Sequence, residues 1–212
     1  MGKCQWVFIC LFVLFSNTSI EANEKYLSFK LAYSDLTFDE PEESDAADFD
    51  SGTTWIVSGS QNLRDLLGFD GLYIEGEYFK SLVAPSLQVT EVDFDNSIKA
   101  VADISYWGAG VYAAFLYAVT DKLLIKGRLG YAYTSMTAEV KVICSGDCPF
   151  ENDLKAKIND TGSGVSFGAS MSYVLANDVS MVVEYTKINT GYDDGDITTA
   201  HIGVGVSFLF NT

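Results

Sequence analysis

The chain has 212 residues, with 13 Lys and Arg against 29 Asp and Glu, a formal charge of −16 and one His. Yet 48% of it is apolar and 14% aromatic, which excludes an acidic disordered chain. The negative excess repels phosphate and argues against nucleic-acid binding, and the length allows one domain or two small ones.

The first element is a targeting segment. Lys3 precedes an apolar run from Trp6 to Phe15, and a polar stretch leads to Ala22. This is the order of a secretory signal peptide, with a run too short to span a bilayer as a helix. Residues 1–22 are therefore read as the signal and 23–212 as the mature domain. Cys10 does not make a lipoprotein site, because Ile9 before it is not small and the apolar run continues past it.

From Tyr26 the period is two. In 26–38, Leu27, Phe29, Leu31 and Tyr33 alternate with Ser28, Lys30, Ala32 and Ser34. A short strand is predicted over 53–61 and one helical turn within Asn62–Phe69, where Leu63, Leu66 and Leu67 recur. Strands follow over 71–81 and 100–119; the second of these alternates poorly, with its phase ambiguous at Asp103. In 123–143, Ile125, Leu129, Tyr131 and Tyr133 oppose Lys126, Arg128, Gly130 and Ala132. Strands at 161–176, 179–190 and 199–210 complete a count of eight, the last placing Ile202, Val204, Val206, Phe208 and Phe210 opposite His201, Gly203, Gly205 and Ser207. Such alternation marks strands with one apolar and one polar face.

Connections alternate in length. Tight turns fall near Asp121 and at Asn177-Asp178, and the other set is long, at 39–52, 82–99, 144–160 and 191–198. In an exported protein Cys144 and Cys148 read as a loop-tip disulfide, since a metal site needs more soft ligands than the neighbourhood offers. An even number of strands, with long loops at one end and short turns at the other, is the plan of an antiparallel up-and-down transmembrane β-barrel.

Charge placement supports that plan. The long loops hold seventeen acids against Lys99, Lys155 and Lys157, and so carry −14 of the −16. Along the strands, Lys30, Lys126 and Arg128 balance Glu75, Glu77 and Glu184 on the polar face. A membrane barrel must confine such charges to its lumen and pair them there. A soluble lipocalin-like barrel, with the apolar face inward, is the competing fold. The polar face is rich in Gly, Ser and Ala, small enough to fill a narrow lumen. Aromatics also collect toward strand ends, at Tyr78, Tyr131, Tyr133, Tyr173, Tyr185, Phe208 and Phe210, as interface girdles require.

Three segments carry a family resemblance: Gly108-Ala-Gly110-Val-Tyr112, Gly130-Tyr131-Ala132-Tyr133, and the closing run from His201 to Phe210. In these the chain resembles the small eight-stranded bacterial outer-membrane barrels of the OmpA transmembrane-domain and opacity-protein type. The resemblance implies location in the cell outer membrane, with its lipids and lipopolysaccharide as surroundings. It also implies a C-terminal aromatic signal, Phe208 and Phe210, read by the barrel-assembly machinery, although Asn211-Thr212 follow here.

Three classes of function suit such a barrel. A lipid A-modifying enzyme needs a catalytic His, and the sole His201 lies on the face assigned to the lumen, so no catalytic residue is named. A pore is disfavoured because eight strands enclose a lumen that side chains fill, with Lys30, Glu75, Glu77, Lys126, Arg128, Glu184 and His201 as the expected network; a gate opened by rearranging those pairs is the variant of that reading. The preferred reading is a structural or surface-interaction, adhesin-like protein, meeting an extracellular partner through acidic loops. Asp193-Asp194-Gly195-Asp196 and Asp48-Phe49-Asp50 lack the ligand spacing of a calcium loop, so no metal and no cofactor is expected.

Overall fold

The computed structural model describes residues 24–39, 50–68, 71–93, 96–145, 154–192 and 195–211. The signal segment, Cys148, both calcium-like segments in large part and most of loop 39–52 lie outside these residues; so does any test of the Cys144–Cys148 pairing. The strands are β1 (Glu24–Asp39), β2 (Gly52–Asn62), β3 (Leu72–Val83), β4 (Ser86–Asp93), β5 (Asn96–Ala118), β6 (Leu123–Ser145), β7 (Leu154–Ala176), β8 (Val179–Tyr192) and β9 (Gly195–Asn211). One helical turn, α1 (Arg64–Leu67), follows β2. It ends at Gly68, whose φ of 71° is the left-handed conformation that glycine adopts without steric cost.

All pairings are antiparallel, in the order β3-β2-β1-β9-β8-β7-β6-β5-β4, and β3 also pairs with β5. That last pairing closes a ring of eight strands. β4 stands outside the count: it lies above β3 and ladders only with the far end of β5, from Ser86↔Asp103 to Asp93↔Asn96. The residues between β3 and β4 break the ladder at Ala84-Pro85, where proline has no N–H to donate. Ser81 Oγ fills the gap, accepting from Tyr106 N at 3.0 Å and donating to Tyr106 O at 3.1 Å.

Two of the expected long loops are therefore largely strand. Residues 82–99 form a hairpin of β4 with β5, and 191–198 continue the β8–β9 ladder to Tyr192↔Gly195. Likewise β7 begins at Leu154 rather than 161. Apolar alternation ends early in these segments, which is why the sequence pattern stops short of the hydrogen-bonded ladder. The tight turns at 119–122 and 177–178 and the α1 turn sit together at the opposite end.

Within the ring the predicted faces hold. Phe29, Leu31, Tyr33, Val111, Phe115, Leu129, Tyr131, Met171, Ile202 and Val204 are exposed on the outside. Their inward neighbours Lys30, Ala32, Ser34, Tyr112, Arg128, Ala132, Ser170 and His201 are buried. Beyond the ring, β4, β5, β6 and β7 continue as a four-stranded sheet, and its polarity is reversed. The face continuous with the lumen now carries Leu87, Ala100, Ala102, Ala138, Val140, Val142 and Ile158, while the outward face carries Lys99, Asp103, Glu139, Lys141, Lys155 and Lys157. The β5–β6 and β6–β7 ladders run through this reversal without a register shift. It explains the ambiguous phase at Asp103: that residue lies just past the changeover.

An aromatic file crosses the outer surface at the same height. Trp55 and Tyr78 have ring centres 5.2 Å apart, Tyr78 and Trp107 6.2 Å, and Trp107 and Tyr133 5.8 Å. Among the described residues no helix is long and apolar enough to cross a membrane; the strands supply the apolar girth.

Candidate functional site

The lumen is filled in layers. At the short-turn end, Ser28, Ser170, Ser172 and Ser207 line a cavity of about 40 Å³, whose inner wall includes Lys126 and Glu184. At roughly 10–15 Å³ per molecule it holds only a few waters. Two buried oxygens of its lining residues, Ser170 Oγ and Glu184 Oε2, have no hydrogen-bond partner among the described residues.

Above it lie the six predicted charges. β1 supplies Lys30, β3 Glu75 and Glu77, β6 Lys126 and Arg128, and β8 Glu184, each on the inward parity of its strand. Lys30 Nζ contacts Glu77 Oε2 at 3.2 Å and also Glu184. Lys126 Nζ reaches Glu75 Oε2 at 2.5 Å and Glu184 Oε2 at 3.5 Å. Arg128 grips Glu77 with both Nη atoms, at 2.7 and 3.1 Å, and meets Glu184 at 3.0 Å and Glu75 as well. Three cations thus face three carboxylates, and their charges cancel. Apart from Lys126, at 16% side-chain exposure, they are sealed from solvent. Desolvating six charges is costly, and only mutual pairing and well-made hydrogen bonds repay it.

Neutral side chains complete the cluster. Arg128 Nη2 donates to Thr186 Oγ1 at 2.5 Å. Tyr112 Oη donates to Glu77 Oε1 at 3.4 Å and lies 3.2 Å from Ser166 Oγ. Tyr112 needs space, and glycines give it: a Cβ on Gly130 would stand 2.7 Å from the Tyr112 ring and 2.1 Å from Val111 O.

His201 belongs to the next layer rather than to the ion cluster. Its Nε2 lies 3.3 Å from Tyr106 Oη, which is 2.6 Å from Thr54 Oγ1; Ser34 Oγ in turn donates to Thr54 at 2.6 Å. The imidazole stacks on Tyr106 and meets Phe79 edge-on, with ring centres 6.0 and 5.4 Å apart. Higher still, Leu36, Ile104, Met136, Ile188 and Ile197 fill the ring with apolar bulk, while Ile56 sits one inward position below Thr54 on β2.

The predicted network is thus assembled, with His201 one layer removed. Tyr112, Tyr106, Phe79 and the apolar upper layer lie outside the expected network, because the alternation marks the polar face by its small residues and charges. Parity alone could have found Phe79, since Tyr73, Glu75, Glu77 and Phe79 share one face of β3. Phe208 and Phe210 lie on the outward parity of β9, where Phe210 pairs with Lys25.

The outer-membrane β-barrel domain family model matches residues 7–210. No curated protein matches the chain. Among solved structures, surface protein A of Neisseria superposes with a TM-score of 0.57 at 11% identity, over 88% of this chain and 97% of its own. OprG of Pseudomonas aeruginosa gives 0.48 at 15% identity, over 91% and 97%. Ail, the attachment invasion locus protein of Yersinia pestis, gives 0.46 at 13% identity, over 89% and 100%. With an eight-stranded ring, an apolar girth and a family match over almost its whole length, the chain belongs to the outer-membrane β-barrel family and resides in the bacterial outer membrane.

Proposed function

We propose that the chain is a sealed barrel that works as a structural or surface-interaction, adhesin-like protein through its long-loop end. The observation that carries this reading is the filled lumen. The buried six-charge cluster and the apolar side chains above it occupy the middle of the ring, which supports a closed lumen and directs attention to the exterior surface. The acids of 39–52 and the neighbouring connections put most of the negative charge at that end, suited to basic partner surfaces. Catalysis is left out of this reading, because the sole imidazole is 1% exposed and held between Tyr106 and Phe79.

Purified protein in planar bilayers should give no stable conductance, and large reproducible single-channel steps would overturn the sealed lumen. Cells displaying the chain should adhere to a surface coated with basic peptide. That adhesion should be lost when residues 39–50 are replaced by neutral ones; equal adhesion after replacement would remove the acidic end from the reading.

A further inference from the structure

Outward from the aromatic file, the lipid-facing side of β5–β7 changes chemistry in two steps. First comes a band of hydroxyls and an amide. Thr137 Oγ1 donates to Asn159 Oδ1 at 2.8 Å, one pleat beyond Ser135, while the 3.1 Å contact of Tyr131 Oη with Ser163 Oγ lies at the level of the file itself. Then come lysines. Lys141 and Lys155 are direct cross-strand partners, Lys157 faces Glu139, and Lys99 lies one diagonal step from Lys141. Two acids answer these four cations: Lys157 Nζ lies 3.1 Å from Glu139, and Lys141 Nζ 4.0 Å from Asp103. Among the described residues the patch is therefore net positive, on a chain of −16.

Like charges directly opposite on a ladder are destabilising, and Lys155 has no ion pair among the described residues. An anion seated over Lys141 and Lys155 relieves that repulsion. Height identifies the anion. Lys157 and Lys141 stand six to eight residues along the ladder from Tyr133. At about 3.3 Å per residue and a tilt near 40°, this is roughly 15–20 Å beyond the aromatic file. Phospholipid headgroups extend only about 5–8 Å beyond the hydrocarbon core on each side. A larger, phosphorylated sugar headgroup is needed to reach the lysines.

We propose that the outward face of the projecting sheet docks the phosphorylated saccharide of outer-leaflet lipopolysaccharide. Acyl chains lie on the apolar girth, sugars on the Thr137–Asn159 band, and phosphate on Lys141, Lys155 and Lys157. The proposal rests on the outer-membrane location and is independent of the adhesin-like reading.

The test is binding of purified rough-type lipopolysaccharide to the folded full chain in detergent, read by native mass spectrometry. Wild type should retain it, and the Lys141→Gln/Lys155→Gln/Lys157→Gln variant should bind about tenfold more weakly or worse. Lys187→Gln, a change on β8 away from the patch, should match wild type. Chemically dephosphorylated lipopolysaccharide should bind wild type as weakly as the intact form binds the triple variant, a comparison that needs no variant to fold. Equal retention by wild type and triple variant, indifference to dephosphorylation, or equally tight retention of phosphatidylglycerol would each overturn the proposal.

Discussion

The guanidinium carbon of Arg128 lies 4.3 Å from the centre of the Tyr112 ring, so one cation is shared between three carboxylates and an aromatic face. Both residues are almost fully enclosed. Arg128 is thus the hub on which the mid-lumen charge balance depends.

Replacing Arg128 with Met should destabilise the barrel by about 3–5 kcal/mol, the usual penalty for leaving buried partners unpaired. Urea unfolding in lipid vesicles, followed by tryptophan fluorescence, measures it. Adding Glu77→Gln should recover part of the loss, because it removes a carboxylate stranded by the first change. A loss below 1 kcal/mol for the single variant would mean that the cluster is hydrated and weakly coupled.

The exposed pairs on the projecting sheet should behave in the opposite way. Glu139→Gln breaks a contact between two half-exposed side chains and should cost no more than about 0.5 kcal/mol, vanishing in high salt. The same unfolding assay at two ionic strengths checks this, and a salt-independent loss would contradict it.

Gly130→Ala should weaken folding by about 1–3 kcal/mol, because its Cβ meets backbone that cannot swing aside. Gly127, where a Cβ meets nothing within 4 Å, is the matched control on the same strand. Heat-modifiable migration on detergent gels should be impaired for the first variant and normal for the second.

Trp55 and Trp107 flank Tyr78 at one height on the outer surface. Lipids brominated near the headgroup should quench tryptophan emission more strongly than lipids brominated near the bilayer centre. The reverse order would displace the aromatic file from the interface.

Phe210→Ala should slow assembly in cells while leaving refolding in detergent nearly unchanged, since the ring is 48% exposed and makes little of the core. Pulse-chase appearance of the heat-modifiable form in cells, beside in-vitro refolding, separates the two effects. Equal slowing in both would assign Phe210 a packing role instead of a signalling one.

Much of this was written in the alternation. Leu27 to Tyr33 and Ile202 to Phe210 announce their faces, and Lys30, Lys126 and Arg128 balance Glu75, Glu77 and Glu184 on the polar face in the sequence itself. Three things were hidden for physical reasons. β4 carries no barrel position, so strand counting alone could not separate it from a loop. The lumen's upper layer is apolar, so Ile104, Met136 and Ile188 face inward against their chemistry, and only strand parity places them there. The hydrophobic faces of the projecting sheet are opposite to those of the ring, and Asp103 looked like noise because it marks the exchange.

That exchange constrains how these strands can change length. The ladders of β5, β6 and β7 pass from one polarity to the other with no bulge to absorb an error. Gaining or losing one residue between Tyr133 and Val140 would turn Glu139 and Lys141 toward the face continuous with the lumen and Val140 and Val142 toward the outward face. Gaining or losing two would only raise or lower the extramembrane wall by one pleat. Length variation in this part of the chain should therefore come in even steps.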